Sequence, residues 1–210
     1  MKLYILRHGE TKINTIGGRF QGQINTPEAA LTENGIEQAR EVAREFKDKG
    51  FFFDKVYSSP QERAMQTAVL ASGAEESQLI LDDRLKEMDF GPLEGMEWKY
   101  MEPAKFKALM DDFGNYLPGP GMESGLTLIR RVSMFLEDMK RKNTEESVLV
   151  STHGGVVRAA LVNLHVDPLA SFWRNPVGNC GWIELTLTDG KWVLTDLDRK
   201  EHRDYDQTKN

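Results

Sequence analysis

Apolar residues fall into two spacings that alternate along the chain. Residues 2–6, 53–57 and 147–151 are short runs with apolar centres, which predict strands covered on both faces. Between them the spacing becomes helical. Ile36, Ala39, Val42, Ala43 and Phe46 recur on one face after Thr32, and Gly50 closes that helix. Ser58, Ser59 and Pro60 read as the opening of a second helix, with a serine cap and Pro60 in the first turn. Two more helices are expected, one within residues 98–113 and one over about 123–141, separated by the loop Pro118-Gly119-Pro120-Gly121. A helix over 156–164 follows the third strand. Residues 182–187 and 192–197, joined by Thr188-Asp189-Gly190, predict a terminal hairpin. Residues 14–30 and 85–95 read as irregular connections rich in polar residues and glycine. Strands alternating with helices predict an α/β fold: a three-layer α/β/α sandwich on a mostly parallel sheet, with a C-terminal antiparallel strand or hairpin. In such folds ligands gather at the carboxyl ends of the strands.

Composition narrows the classes of function. A chain of 210 residues, 40% hydrophobic and 9% aromatic, has enough apolar material for one domain over residues 1–210. A charged tail from about residue 199 is expected to fray. The formal net charge is −6, with 33 acidic and 27 basic residues scattered rather than blocked. No basic excess draws the chain to nucleic acid or an anionic membrane, so an anionic ligand must be met by local positive charge. Cys180 is the only cysteine, which excludes an intrachain disulfide and fits a reducing, cytoplasmic setting. Residues 1–6 lack the long apolar core of a signal peptide, and no apolar run nears the roughly 20 residues that span a bilayer.

Two strand ends break the ordinary pattern in the same way. Ile5-Leu6-Arg7-His8-Gly9-Glu10-Thr11 and Val150-Ser151-Thr152-His153-Gly154-Gly155 each put a histidine, followed at once by glycine, at the end of an apolar strand. Glycine there allows a tight turn and close approach to a ligand. One such histidine is usually a satisfied core residue; two of the chain's four, both where ligands gather, point to chemistry. The pair lacks the spacing of metal ligands, no HExxH motif is present, and a Walker-type phosphate loop is missing, so neither a metal nor an organic cofactor is expected.

The run Leu6-Arg7-His8-Gly9-Glu10-Thr11 with Asn14 resembles the signature of the histidine phosphatase superfamily, also called the phosphoglycerate mutase-like family. Tyr57-Ser58-Ser59-Pro60 with Arg63-Ala64 and Gln66-Thr67-Ala68 resembles its second motif. Leu85-Lys86-Glu87-Met88-Asp89-Phe90-Gly91 with Glu94-Gly95 resembles its acid-bearing loop, and Ser151-Thr152-His153-Gly154-Gly155 with Arg158 its last. A single Arg-His-Gly tripeptide is weak evidence, but four motifs in the family's order span nearly the whole chain.

The resemblance implies a phosphohistidine mechanism. His8 is the nucleophile and must be neutral to attack, a form that nearby cations favour. Arg7 and Arg63 are the bidentate donors to the transferring phosphate, and His153 is a further contact to it. Arg63 in the first turn of a helix opposes the helix dipole, which suggests an anion nearby. Glu87 is the general acid for the leaving oxygen and then the base for water, with Glu10 the weaker alternative. Asn14, Gln21, Gly22 and the Gly154 amide at a helix N-terminus are candidate substrate contacts. Arg158 is left between a ligand contact and a carboxylate partner.

The family contains phosphatases and cofactor-dependent mutases, and mutases carry a longer insertion between the acid loop and the second histidine. The compact stretch from Glu87 to His153 therefore resembles the small phosphatase branch, whose substrates include sugar and glycerate phosphates and α-ribazole phosphate. The expected partner is a small phosphorylated metabolite. A phosphoglycerate mutase, and a non-catalytic protein that binds a phosphorylated ligand, remain alternatives. Dimers are common in the family, so a homodimer is one assembly open to the chain. Asn25-Thr26-Pro27-Glu28-Ala29-Ala30-Leu31-Thr32 departs from the family pattern by three inserted residues, expected near the mouth of the site. Met122-Glu123-Ser124 reads either as a rim element or as a helix start. Phe172, Trp173 and Trp182 read as pocket or, more commonly, core.

Overall fold

In the computed structural model, which describes residues 1–142 and 146–200, the strands are β1 (Lys2–Arg7), β2 (Lys55–Ser58), β3 (Ile80–Leu81), β4 (Ser147–Thr152), β5 (Trp182–Thr188) and β6 (Lys191–Asp198). The helices are α1 (Lys12–Ile16), α2 (Glu33–Asp48), α3 (Glu62–Ser72), α4 (Pro103–Asp111), α5 (Gly125–Lys142) and α6 (Gly154–Asn163). One six-stranded sheet runs in the order β3-β2-β4-β1-β5-β6. β1, β2, β3 and β4 pair in parallel, while β5 pairs antiparallel with both β1 and β6. The fold is the three-layer α/β/α sandwich expected, with the antiparallel pair at the C-terminal edge.

Strand alternation builds the two outer layers. Leu3, Ile5, Tyr57, Val148 and Val150 point to one face, where Leu128, Val132 and Phe135 of α5 and Val156 and Leu161 of α6 cover them. Tyr4, Leu6, Val56 and Leu149 point to the other, beneath Ala39, Val42 and Phe46 of α2 and Ala68 and Ala71 of α3. Each central strand is therefore buried on both faces, which is why its sequence shows no polar alternation.

Thr32 caps α2 by accepting from the Gly35 amide at 3.0 Å, and Gly50 follows the helix at a φ of 72°, in the left-handed region. The start of α3 departs from expectation. Pro60 lies outside the helix, Gln61 is the N-cap residue, and no serine caps it through its side chain. The two hydroxyls are spent elsewhere: Ser58 Oγ donates to the Ser59 carbonyl and Ser59 Oγ lies 2.8 Å from His153 Nε2. α5 starts at Gly125. Ser124 caps it by accepting from the Thr127 amide at its Oγ and from the Leu128 amide at its carbonyl, each at 3.1 Å, so Met122-Glu123-Ser124 is the helix start that one reading allowed. Two short elements, α1 and β3, fall in segments read as irregular or not read at all. Of the tail, Arg199 is tied to Asp167 at 2.9 Å, while residues 201–210 lie outside the described residues.

Among the described residues, no helix is long and apolar enough to cross a membrane.

Candidate active site

β1 and β4 are neighbours, and both release their chains on the same side of the sheet. The His8 amide still donates to the Thr152 carbonyl at 2.9 Å, while the His8 carbonyl accepts from the Cys180 amide and from Asn179 Nδ2, each at 3.2 Å. Gly9 follows because there is no room for a side chain: a Cβ would sit 2.3 Å from the Gly35 carbonyl oxygen at the start of α2. β4 delivers His153, the N-cap residue of α6. The two imidazoles meet edge to face with centroids 5.2 Å apart.

His8 Nδ1 lies 2.7 Å from the Gly9 carbonyl oxygen. A carbonyl only accepts, so the proton sits on Nδ1 and Nε2 keeps its lone pair. Arg63 Nε donates to that Nε2 at 3.3 Å. The Arg63 guanidinium is 1% exposed and also donates to the carbonyls of Ile24 (3.0 Å) and Gly22 (2.6 Å). Arg7 Nη1 donates to the Val177 carbonyl at 2.6 Å. The Arg63 and Arg7 charges thus share one buried place with two imidazoles.

Electrostatics follow from that crowding. Burial, then the charges of Arg63 and Arg7, hold His8 well below the ordinary histidine value of 6.5. Burial also lowers His153 far below 6.5, with Arg63 the next cause. Both rings are therefore neutral at neutral pH. Desolvation brings Arg63 down to about 10 against the opposing pull of Glu87 and Glu94, so it remains a cation. Ser59 Oγ lies 2.8 Å from His153 Nε2, while His153 Nδ1 is a buried atom without a hydrogen-bond partner among the described residues. Burial pushes the Cys180 thiol up to about 12, which leaves no competing thiolate.

Glu87 reaches the site from the loop after the 3₁₀ turn Asp83–Leu85. Its amide donates to Gln61 Oε1 at 2.9 Å, and its carbonyl accepts from Gln23 Nε2 (2.9 Å) and Arg131 Nη2 (3.0 Å). Its carboxylate takes the Met88 amide at 2.8 Å and the Gly155 amide at 3.1 Å. Arg131 is itself neutralised by Glu123, with Nε to Oε1 at 2.7 Å and Nη2 to Oε2 at 2.9 Å. Glu123 is thus a support for the acid loop. Gln61 also donates to the Gly22 carbonyl at 3.1 Å, linking the loop to the turn beneath Arg63.

A cavity of about 100 Å³ opens over His8. Arg7, His8, Asn14, Gln21, Gly22 and Glu87 line it, all anticipated from the sequence, together with Arg19. Arg63, His153 and Gly154 stand behind this lining. Arg63 touches His8, and a Cβ on Gly154 would lie 3.5 Å from Arg7 Nε. Asn14 is held by Asn179 Nδ2 at 3.1 Å and donates to Gln21 Oε1 at 3.4 Å, while Gln21 Nε2 donates to Thr11 Oγ1 at 2.9 Å. Gly22 has a φ of 52°, and a Cβ there would meet Glu94 Oε1 at 2.1 Å. At the α6 N-terminus the amide engaged with Glu87 belongs to Gly155.

Other expectations separate. Glu10 does not line the cavity; its carboxylate accepts from the Thr32 hydroxyl at 2.8 Å. Arg158 donates to the Asn175 carbonyl at 2.9 Å and lies over the Trp173 ring. Residues 25–32 do not line the cavity, although they begin next to Ile24, an Arg63 partner. Trp173 lines it, whereas Phe172 and Trp182 are core. The remaining wall is Phe20, Phe90, Trp98, Phe106, Leu109 and Met110. Sequence reasoning missed the last four, and their only signal was the helical spacing of Phe106, Leu109 and Met110.

Three comparisons bear on this arrangement. The profile of the histidine phosphatase superfamily (branch 1) matches residues 3–199. A protein of Hydrogenobacter thermophilus provisionally named phosphoserine phosphatase 2 is 36% identical over 208 residues, covering 96% of this chain and 97% of the relative. The adenosylcobalamin/alpha-ribazole phosphatase of Salmonella typhimurium is 31% identical over 95% of this chain and 97% of its own. Among solved structures, phosphoserine phosphatase from Entamoeba histolytica in complex with 3-phosphoglyceric acid superposes with a TM-score of 0.79 at 30% identity, covering 96% of this chain and 98% of that one.

Proposed function

Since this chain belongs to the histidine phosphatase superfamily (branch 1), we propose that it hydrolyses small phosphate esters by passing the phosphoryl group through His8 to water. One observation carries the assignment of roles. His8 has its Nδ1 proton fixed on Gly9, its Nε2 lone pair beside the Arg63 guanidinium, and Glu87 on the wall of the same cavity.

The steps follow from these positions. His8 Nε2 attacks phosphorus in line while the P–O bond to the alcohol breaks, and Glu87 gives its proton to the leaving oxygen. Arg7 and Arg63 meet the charge spread over the equatorial oxygens, with Arg63 turning its Nε–H from His8 to the phosphate. The His153 imidazole and the Asn14 and Gln21 amides supply further contacts, and Gly22 leaves room for close approach. Glu87, now ionised, takes a proton from water as the water oxygen attacks phosphohistidine. The P–N bond breaks, and His8 returns neutral with inorganic phosphate released.

The relatives' names support a phosphorylated metabolite as substrate, with phosphoserine and α-ribazole phosphate the first esters to try. The chain is further read as one working domain, in a reducing cytoplasm, with a homodimer as the assembly to test by light scattering.

The experiment is phosphate release from a panel of esters (phosphoserine, 3-phosphoglycerate, α-ribazole phosphate, p-nitrophenyl phosphate) in EDTA, comparing wild type with His8→Ala. We expect EDTA-resistant release that falls by at least about 10⁴-fold in the variant. Isomerisation of phosphoglycerate with little release would make it a mutase. Release that survives His8→Ala would refute the assignment.

A further inference from the structure

We propose that the ester this site prefers carries an apolar or aromatic body and no ammonium group, an inference that rests on the phosphatase reading above. The apolar part of the cavity lining includes Phe90, Trp98, Phe106, Leu109, Met110 and Trp173. These residues come from separate segments. Phe106, Leu109 and Met110 occupy positions i, i+3 and i+4 on one face of α4, Trp98 stands in the 3₁₀ turn Trp98–Tyr100, and Trp173 lies in the turn Leu169–Arg174. The rings brace one another: Trp98 and Phe106 centroids are 5.8 Å apart, and Phe90 and Trp173 are 6.2 Å apart. A phosphate seated on His8 therefore has its alcohol portion against hydrocarbon.

The charges on the lining argue the same way. Apart from the imidazole they are Arg7, Arg19 and Glu87. Both oxygens of Glu87 already accept backbone amides, from Met88 and Gly155. Arg19 donates Nη1 to the Gly95 carbonyl at 2.9 Å, and its Nε is a buried donor without a partner among the described residues. An amino-acid ester would bring its ammonium beside these arginines and against apolar rings that desolvate it, with Glu87 the one carboxylate in the lining.

The test compares kcat/KM for 2-phenylethyl phosphate, glycerol 3-phosphate and phosphoserine in EDTA, with p-nitrophenyl phosphate as the measure of active enzyme. The serine alcohol is the more acidic leaving group, so intrinsic reactivity favours phosphoserine, and a preference for the phenylethyl ester reports the wall. We expect 2-phenylethyl phosphate to exceed phosphoserine by about tenfold or more. The ratio of 2-phenylethyl to glycerol phosphate should fall at least about tenfold in Trp98→Ala and in Phe106→Ala, and recover in Trp98→Phe. A ratio is read within each variant, so partial loss of folded protein cancels. Phosphoserine turned over faster than 2-phenylethyl phosphate, or a ratio unmoved in both alanine variants, overturns the inference while leaving the phosphatase intact. No turnover of any ester, p-nitrophenyl phosphate included, overturns the phosphatase reading and this inference together.

Discussion

At the scale of single residues, the site works by fixing where protons sit before substrate arrives. Gly9 fixes the His8 proton on Nδ1, and the loop around Glu87 is held by Gln61, Gln23 and Arg131. Glu87→Gln keeps the shape and removes the transferable proton. It should slow alkyl phosphates by about 10²–10⁴-fold and slow p-nitrophenyl phosphate far less in the first step, because nitrophenolate leaves without protonation. Equal losses on both esters in single-turnover phosphate transfer would contradict the acid role. His8, Arg63, Glu87 and His153 were legible in the sequence because each lies in a distinct short motif at a strand end or turn. Their supports were not. A serine before a helix reads as a cap, yet Ser59 bonds His153 instead; only the tertiary approach of β2 and β4 offers that partner.

At the scale of elements, the strand ends carry the nucleophile and the helix starts press against them. Gly35, in the first turn of α2, has no space for a methyl group: its Cβ would sit 2.1 Å from the Glu10 carbonyl oxygen. Gly35→Ala should therefore cost about 1–3 kcal/mol in urea unfolding and lower kcat by displacing the His8 turn. Wild-type stability in this variant would show that the turn yields freely. The long elements were visible from periodicity. α1 was not, because its box pairs Thr11 with Asn14 rather than with the Glu or Gln that mark such a start. β3 spans only two residues, too few to show a period. The apolar face of α4 looks in sequence like any core-facing stripe; packing of α4 against residues 169–174 turns part of it towards the cavity.

At the scale of the whole molecule, an acidic protein concentrates positive charge and neutral imidazoles in one buried place. His8 and His153 both have folded-state pKa values below the 6.5 of a free histidine, chiefly through burial. As pH falls below 6.5, the unfolded chain takes up these protons and the folded chain does not, so stability declines. For each histidine the slope should rise from about 0.7 kcal/mol per pH unit at 6.5 towards about 1.4 a unit or more below it, and His8→Asn should remove one of the two contributions. Urea midpoints that stay flat from pH 7.5 to 5.5 would contradict the buried neutral pair. The layering and the polarity of the sheet were legible because each buried strand is bounded by helical spacing; the strand order β2-β4-β1, which makes the two histidines neighbours, is a property of the assembled sheet. The central claim is that phosphate passes through His8, and the stereochemical course at phosphorus tests it most directly. With an ester chiral in its phosphoryl oxygens, two in-line displacements predict overall retention of configuration. Inversion would mean that water attacks the ester in one step, and the phosphohistidine account would be wrong.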